Sequence, residues 1–229
     1  MKKRYIILII IFLLLMISSV VSLFIWNKYN NKNKDIVKKE EKYLIQEEDE
    51  ETYHLDEKIQ KDNEYTIGWL KVEGTNINYP VVQYIDNKYY LNHDFNNEYN
   101  SAGWIFMDYR NDLDDQNIVI YGHHRVDGSM FGSIDSLFNE EFYKKNNKIL
   151  FITDEGTHEY EIFSVYKAKS DERYTNSNFE NFQVELAKFK ENSEINLNEK
   201  EINTAQIITL STCHQNNKDR LVVHGYRKR

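Results

Sequence analysis

The chain has 229 residues, with one cysteine, one proline and a formal net charge of −8 at pH 7. Its length allows one ordinary domain and an appendage, and its 41% hydrophobic and 29% charged residues exclude a chain that is disordered throughout. A single cysteine excludes an internal disulfide. The acidic balance argues against a nucleic-acid partner, because neutralising phosphates needs a surplus of Lys and Arg.

The N-terminal segment is basic at both ends and apolar between them. Residues 1–34 carry six basic side chains and no acid, and residues 5–26 carry no charge. A helix of that apolar length measures about 33 Å and can cross a hydrocarbon core of roughly 30 Å. We therefore predict a cytoplasmic basic end at 1–4 and a transmembrane anchor at 5–26. A cleaved signal peptide is the alternative, although the serines at 18, 19 and 22 offer only a weak cleavage site. Basic residues on both sides leave the orientation open.

Residues 27–64 are predicted to form a charged, partly helical stalk. Within them, residues 35–64 contain twelve acidic residues and five lysines, a composition typical of a solvated spacer. From residue 65 onwards, short β-rich runs are separated by Asn, Asp and Gly. The folded domain is therefore expected at 65–229.

Eight segments of this domain have the composition of β-strands. They are 66–72, 76–83, 103–109, 117–121, 148–153, 159–167, 205–212 and 220–225. One helix is predicted near 178–192, where Phe179, Phe182, Leu186 and Phe189 recur at helical spacing. Many strands and few helices predict a mainly β fold, either a closed barrel or a sandwich.

The segment 207–225 carries the strongest chemical signal. Two strand patterns flank the loop 214–219, so a hairpin would bring Cys213 opposite Arg220. A nucleophilic cysteine must be a thiolate, and a nearby cation or base favours that form. An inert buried thiol is the alternative, but an unpaired cysteine in an exported chain is an oxidation liability that a functional role would explain.

The partner base of such a cysteine is expected to be one of the seven histidines. His123 and His124 follow the strand pattern NIVIY, where Gly122 is expected to let the strand end in a turn at the rim. They are poor metal ligands, because neighbouring strand residues point to opposite faces and no second cysteine is present. No metal or cofactor is predicted. His54 and His158 are interpreted as solvated surface residues, and His224 as a hydrogen-bonded strand histidine.

Several of these motifs together resemble a class B sortase of a Gram-positive cell envelope. In chain order they are NINYPVVQ, DN-x-YYL at 86–91, IFMDYRN, NIVIYGHH, and TLSTC followed by an arginine, spread over about 66–225. The resemblance implies a closed eight-stranded β-barrel with a few peripheral helices behind an N-terminal transmembrane helix. It also implies a catalytic set of Cys213, His123 and Arg220, with His124 as a neighbour.

The reaction implied by the resemblance is a transpeptidation outside the cell. Cys213 would attack the carbonyl carbon of a Thr in the C-terminal sorting signal of an exported protein, and a peptidoglycan amine would resolve the thioester. The protein would be a single-pass membrane protein with its catalytic domain on the extracellular face, and no nucleic acid would take part. By the same resemblance, the substrate groove would be lined by Ser211, Tyr174, Thr175, Ser170, Asn87 and Leu91.

Two other functions remain open from the residues. A membrane-tethered cysteine peptidase would use the same thiol and histidine but would hydrolyse the acyl-enzyme. A non-enzymatic surface-binding β-domain would simply bury Cys213. Transfer to an added amine distinguishes the first alternative, and labelling of the native thiol distinguishes the second.

Overall fold

The computed structural model describes residues 2–47, 52–169, 173–195, 202–213 and 219–228. The chain divides into two compact units, Met1–Ile36 and Val37–Arg229. The first unit is the N-terminal part of helix α1 (Lys2–Glu40), in which the apolar side chains of the uncharged run 5–26 are exposed to solvent. Within the described ranges, α1 is the one helix long and apolar enough to cross a membrane.

The second unit is mainly β. In its described part, the strands are β1 (Leu44–Gln46), β2 (Tyr53–Leu55), β3 (Thr66–Val72), β4 (Asn78–Val82), β5 (Phe106–Met107), β6 (Asn117–Tyr121), β7 (Lys148–Thr153), β8 (Gly156–Lys169), β9 (Ile207–Cys213) and β10 (Asp219–Arg227). The helices are α2 (Glu140–Tyr143) and α3 (Phe182–Glu191), with short 3₁₀ helices at Glu41–Tyr43, Glu57–Lys61, Tyr89–Leu91, Ile134–Phe138 and Arg173–Thr175.

Eight strands of the described chain close into a barrel in the order β10-β8-β7-β3-β4-β5-β6-β9. The pairs β4–β5 and β6–β9 are parallel, and the other neighbours are antiparallel. The predicted mainly β fold is therefore confirmed, and it is a barrel rather than a sandwich. β5 is shorter than predicted because Gly103 adopts a left-handed φ of 59° and the N–H of Trp104 donates to the carbonyl of Tyr90, outside the ladder.

Helix α3 lies against the outside of β8 and β10. Its first turn is capped by Asn181, whose side chain accepts a hydrogen bond from the N–H of Val184. The apolar stripe predicted from the sequence buries Leu186 and Phe189 in a cluster that includes Val222. The predicted helix and its core-facing side are therefore confirmed, with a later start than expected.

Part of the segment expected to be a solvated spacer belongs to the barrel unit. The strands β1 and β2 pair as a small antiparallel sheet. The N–H of Tyr53 donates to Thr157 Oγ1, and the Thr157 hydroxyl donates to the Tyr53 carbonyl, both at 2.7 Å. Leu55 and Ile59 are buried. A few apolar side chains therefore attach this acidic segment to the barrel even though its overall composition is highly polar.

Candidate active site

A cleft of about 270 Å³ opens at the end of the barrel where β5 begins and β6 and β9 finish. Seven of the residues predicted for the site line it, together with three that were not predicted. The lining residues are Asn87, Leu91, Phe106, Tyr121, Gly122, His123, Tyr174, Thr175, Ser211 and Arg220. Ser170 and the side chain of Cys213 lie outside the described residues.

The hairpin of β9 and β10 has the register expected from the sequence. Cys213 is the last residue of β9 and is the direct partner of Arg220 on β10. Directly opposed residues of an antiparallel pair have Cβ atoms about 4.5–5.5 Å apart. The backbone therefore brings positions 213 and 220 together at the mouth of the cleft.

The parallel pairing of β6 with β9 brings the backbone of residue 123 to the same mouth of the cleft. Tyr121 on β6 is the register partner of Ser211 on β9, and the N–H of Gly122 donates to the Ser211 carbonyl at 3.3 Å. His123 follows Tyr121 by two residues, and Cys213 follows Ser211 by two. The carboxyl ends of parallel strands meet at one edge, so positions 123 and 213 lie at the same level of the barrel.

His123 is half-buried and oriented by the opposite wall of the cleft. Its Nε2 lies 2.6 Å from the carbonyl oxygen of Leu91. A carbonyl only accepts hydrogen bonds, so Nε2 carries a proton and Nδ1 is the nitrogen that can exchange one without breaking this contact. Gly103 makes the contact possible, because a Cβ at this position would lie 2.8 Å from the Leu91 oxygen and 2.9 Å from Cδ2 of His123.

Gly122 is required for a reason different from the one expected. Its φ is not among the positive values found in the described residues, so turn geometry does not explain it. A Cβ on Gly122 would instead lie 2.6 Å from Cδ1 of Ile105 and 2.8 Å from Cγ of Phe131. The glycine lets the end of β6 pack tightly against the loops beneath the cleft.

His124 has surroundings that differ from those of its neighbour. Its Nε2 lies 2.7 Å from Oδ2 of Asp135, and its side chain is only 10% exposed. Its backbone pairs with Met130 in an isolated bridge. It is not among the residues that line the cleft.

The floor and one wall of the cleft are linked by a hydrogen bond between hydroxyl groups. Ser211 on β9 is buried, and its Oγ lies 3.1 Å from the hydroxyl of Tyr174, which is also buried. On the other side, Asn87 accepts a hydrogen bond from the N–H of Tyr109 through its side-chain oxygen. Both walls are therefore attached to the barrel.

An ion pair that the sequence did not predict lies beside the cleft, with Asp108 buried and Arg110 exposed. The guanidinium of Arg110 binds both carboxylate oxygens of Asp108, at 2.9 and 2.7 Å, and the hydroxyl of Tyr121 donates to the same carboxylate at 2.8 Å. Burial alone would raise the pKa of Asp108, but the hydrogen bonds from Arg110 and Tyr121 outweigh it and hold that pKa below its usual value. Both residues of this ion pair lie in the IFMDYRN motif, but their spacing in the sequence does not by itself show that Asp108 and Arg110 form a pair.

The environments predicted for the other three histidines are confirmed only in part. His158 is half-buried rather than solvated, and its Nδ1 accepts a hydrogen bond from Arg227 at 2.6 Å. Its pKa is lowered, mainly by burial and to a smaller extent by the positive charge of Arg227. His54 is partly exposed, 3.6 Å from Glu47. His224 is buried and hydrogen-bonded, as predicted. Across the described ranges, no three His, Cys, Asp or Glu side chains are grouped so as to hold a metal.

Comparison with known proteins identifies the family of the chain. The family model described as "Sortase domain" matches residues 70–228. The chain belongs to the sortase family. Sortase B of Staphylococcus aureus is 34% identical over 198 residues, which cover 84% of this chain and 81% of that protein. Sortase B of Listeria monocytogenes is 38% identical over 175 residues, which cover 73% of this chain and 71% of that protein. The crystal structure of sortase B from B. anthracis superposes with a TM-score of 0.74 at 32% identity, over 88% of this chain and 99% of that one.

The similarity to these relatives shows that the chain is a class B sortase, a cysteine transpeptidase of the cell envelope. Its substrates are proteins with sorting signals and amines of the cell wall. The interpretation as a non-enzymatic surface-binding domain is therefore not supported.

Proposed function

We propose that this sortase is held in the membrane by residues 5–26, with its barrel outside the cell. There it cleaves a C-terminal sorting signal after a Thr and transfers the protein to a peptidoglycan amine. The observation that supports this proposal most is the meeting of His123 and Arg220 in one cleft, at the barrel end where β9 finishes with the only cysteine of the chain.

Cys213 acts as the nucleophile in this proposal. Its thiolate attacks the Thr carbonyl carbon, and the tetrahedral oxyanion then collapses to a thioester as the C–N bond breaks. The guanidinium of Arg220, permanently charged and rich in N–H donors, stabilises the oxyanion. No metal or cofactor is needed for either step.

His123 moves the protons. It protonates the departing amine and later takes a proton from the incoming amine as that amine attacks the thioester. With Nε2 hydrogen-bonded to the Leu91 carbonyl, Nδ1 is the atom that exchanges these protons. The same contact keeps the ring from rotating away between the two half-reactions.

The cleft provides the groove for the sorting signal. Asn87 and Leu91 form one wall, Tyr174 and Thr175 the other, and Ser211 the floor. Ser170 is proposed to extend the second wall and lies outside the described residues. A volume of about 270 Å³ suits a few residues of an extended peptide rather than a folded partner.

An acceptor experiment tests the proposed reaction against the peptidase alternative. The full-length chain is incubated with a fluorogenic peptide that carries a sorting signal with a Thr at the cleavage site, with and without triglycine. A product joined to triglycine, detected by mass spectrometry, supports transpeptidation. Hydrolysed product alone in a large excess of triglycine would favour the peptidase, in which water resolves the acyl-enzyme.

Cell fractionation tests the membrane anchor. The apolar helix predicts that the full-length protein sediments with membranes and resists extraction by high salt, while removal of residues 1–26 releases it. Accessibility of the barrel to protease in intact protoplasts tests the orientation. Recovery of the full-length protein in the cytosol would contradict the proposal.

A further inference from the structure

A chain of buried polar groups runs along the outer face of β10, β9 and β6, beneath helix α3, and ends on the wall of the cleft. His224 on β10 is fully buried, with Nδ1 2.8 Å from Oγ1 of Thr209 on β9. The Thr209 hydroxyl donates to Oδ1 of the buried Asn117 on β6 at 2.6 Å. Nδ2 of Asn117 then donates to the carbonyl oxygens of Tyr174 at 2.9 Å and Asn176 at 2.8 Å.

The direction of each hydrogen bond in this chain is determined by its neighbours. Two carbonyls face Nδ2 of Asn117 and can only accept, so the amide has one possible orientation and Oδ1 must face Thr209. Thr209 has a single hydroxyl proton and gives it to Asn117, so it accepts from Nδ1 of His224. Burial lowers the pKa of His224 to about 3, and the ring is neutral near pH 7.

The wall segment 174–177 is held in place mainly by hydrogen bonds from residues that do not belong to it. Four consecutive carbonyls accept hydrogen bonds from two residues outside the segment, Asn117 on β6 and Arg110 in the turn after β5. The side chain of Asn117 binds the carbonyls of residues 174 and 176, its backbone N–H binds the carbonyl of residue 177 at 2.9 Å, and Arg110 Nη2 binds the carbonyl of residue 175 at 3.3 Å. Tyr174 and Thr175 line the cleft. The wall therefore depends on Asn117 for three of these four contacts.

We propose that Asn117 is a positioning residue for the sorting signal, because its side-chain amide, oriented by Thr209, holds the wall segment 174–177 in the place where it meets the substrate. This inference rests on the proposed function of the cleft. Asn117 does not line the cleft and acts on the substrate only through Tyr174 and Thr175.

The inference predicts a specific kinetic signature. A displaced wall weakens contacts made equally in the Michaelis complex and in the transition state, which raises KM and leaves kcat nearly unchanged. The reacting groups on β9 and β10 keep their own register contacts. A general loss of structure would instead lower the amount of active enzyme and therefore the apparent kcat.

The test uses three variants of the full-length chain with the fluorogenic sorting peptide and triglycine. Asn117→Ala removes the amide, and Thr209→Val removes the hydroxyl that orients it with little change in volume. Both are expected to raise KM for the peptide about tenfold, the effect of losing roughly one hydrogen bond, with kcat within threefold of wild type. Thr209→Ser keeps the hydroxyl and is expected to retain the wild-type KM. If Asn117→Ala fails to fold, the Val and Ser variants of Thr209 still carry the test.

Gln206 supplies a matched control. Its side-chain amide is also buried and also donates to two backbone carbonyls, those of Leu113 at 2.7 Å and Asp115 at 3.0 Å. That loop does not line the cleft. Gln206→Ala is expected to lower the melting temperature without raising KM. An equal rise in KM in Gln206→Ala, or a fall in kcat without a rise in KM in Asn117→Ala, would overturn the inference.

Hydrogen–deuterium exchange gives a readout that needs no activity. Amides of 173–177 are expected to exchange faster in Asn117→Ala and Thr209→Val, and at the wild-type rate in Thr209→Ser and Gln206→Ala. Unchanged exchange in the first two variants would overturn the inference whatever the kinetics. A wild-type chain that cleaves no sorting peptide would refute the proposed function, while the exchange data would still decide whether Asn117 holds the wall.

Discussion

The rim of the cleft and the buried core between helix α3 and the barrel use histidine in opposite ways. At the rim, His123 is half-buried, has one nitrogen bound to the Leu91 carbonyl and faces an open cleft. In the core, His224 is fully buried, is stacked on Phe189 at 4.2 Å, and has both nitrogens facing hydroxyl groups. The comparison indicates that the histidine at the rim keeps one ring nitrogen available for proton transfer, whereas both ring nitrogens of the core histidine are used in hydrogen bonds that stabilise the fold. Substitutions at the rim should change the rate, and substitutions in the core should change stability and substrate binding.

The largest effect is expected at the nucleophile. Cys213→Ala should abolish both cleavage and transfer, because the chain has no other thiol. The measurement is product formation with and without triglycine, beside a thermal melt that shows the variant is folded. Measurable thioester chemistry in this variant would remove Cys213 from the mechanism.

The two adjacent histidines give the next and sharper test of the rim. His123→Ala should lower kcat/KM by about 10²–10⁴, the usual contribution of a general acid–base. His124→Ala is the matched control and should cost only a few-fold, because its ring pairs with Asp135 outside the cleft lining. An essential His124 beside a dispensable His123 would mean that the base is wrongly assigned even though the family is right.

A substitution of Arg220 distinguishes two roles of this residue, directed hydrogen bonding to the oxyanion and a purely electrostatic effect of its charge. Lysine keeps the positive charge but lacks the planar set of donors. If Arg220 binds the oxyanion directly, Arg220→Lys should lower kcat/KM by about 10²–10³, the cost of losing an oxyanion donor. The pH dependence of Cys213 alkylation in the same variant reports whether the charge also favours the thiolate. Activity within a few-fold of wild type would exclude the hydrogen-bonding role.

The smallest effect concerns the core and appears as stability rather than rate. His224 has a pKa of about 3 in the folded protein and about 6.5 when unfolded, so below pH 6.5 the unfolded chain binds a proton that the folded chain does not. Its contribution is complete above pH 6.5 and declines as the pH falls towards 3. Between pH 7 and pH 5 the free energy of unfolding should fall by about 2 kcal/mol through this group alone.

Denaturant unfolding at both pH values checks this value against a variant without the group. In His224→Asn, which keeps a polar side chain, the decrease between pH 7 and pH 5 should be smaller by about the same 2 kcal/mol. Carboxylates titrate alike in both proteins, so they cancel in the difference. Equal decreases in the two proteins would mean that the pKa of His224 is nearly the same in the folded and unfolded states.

Much of the fold was predictable because its signals are local. The strands β3, β6 and β7 have the bounds predicted from β-branched and aromatic runs, and α3 has the predicted apolar face. The partnership of Cys213 with Arg220 was also predictable, because only the loop 214–219 separates the two strand patterns. The cleft residues came from the resemblance of whole motifs to a known family rather than from any single residue.

The contacts that complete the site were decided by the tertiary structure. Thr209 and Asn117 are 92 positions apart, and the parallel pairing of β6 with β9 that joins them leaves no mark in the local pattern of either strand. The entropy cost of closing such a loop grows only slowly with its length, so many distant pairings are comparable until a closed core selects one. The same holds for the close packing around Gly122 and for the attachment of Tyr53 to Thr157. The sequence by itself determined the strands, the hairpin and the reactive residues, while barrel closure alone brought His123 level with Cys213 and set Asn117 behind the wall.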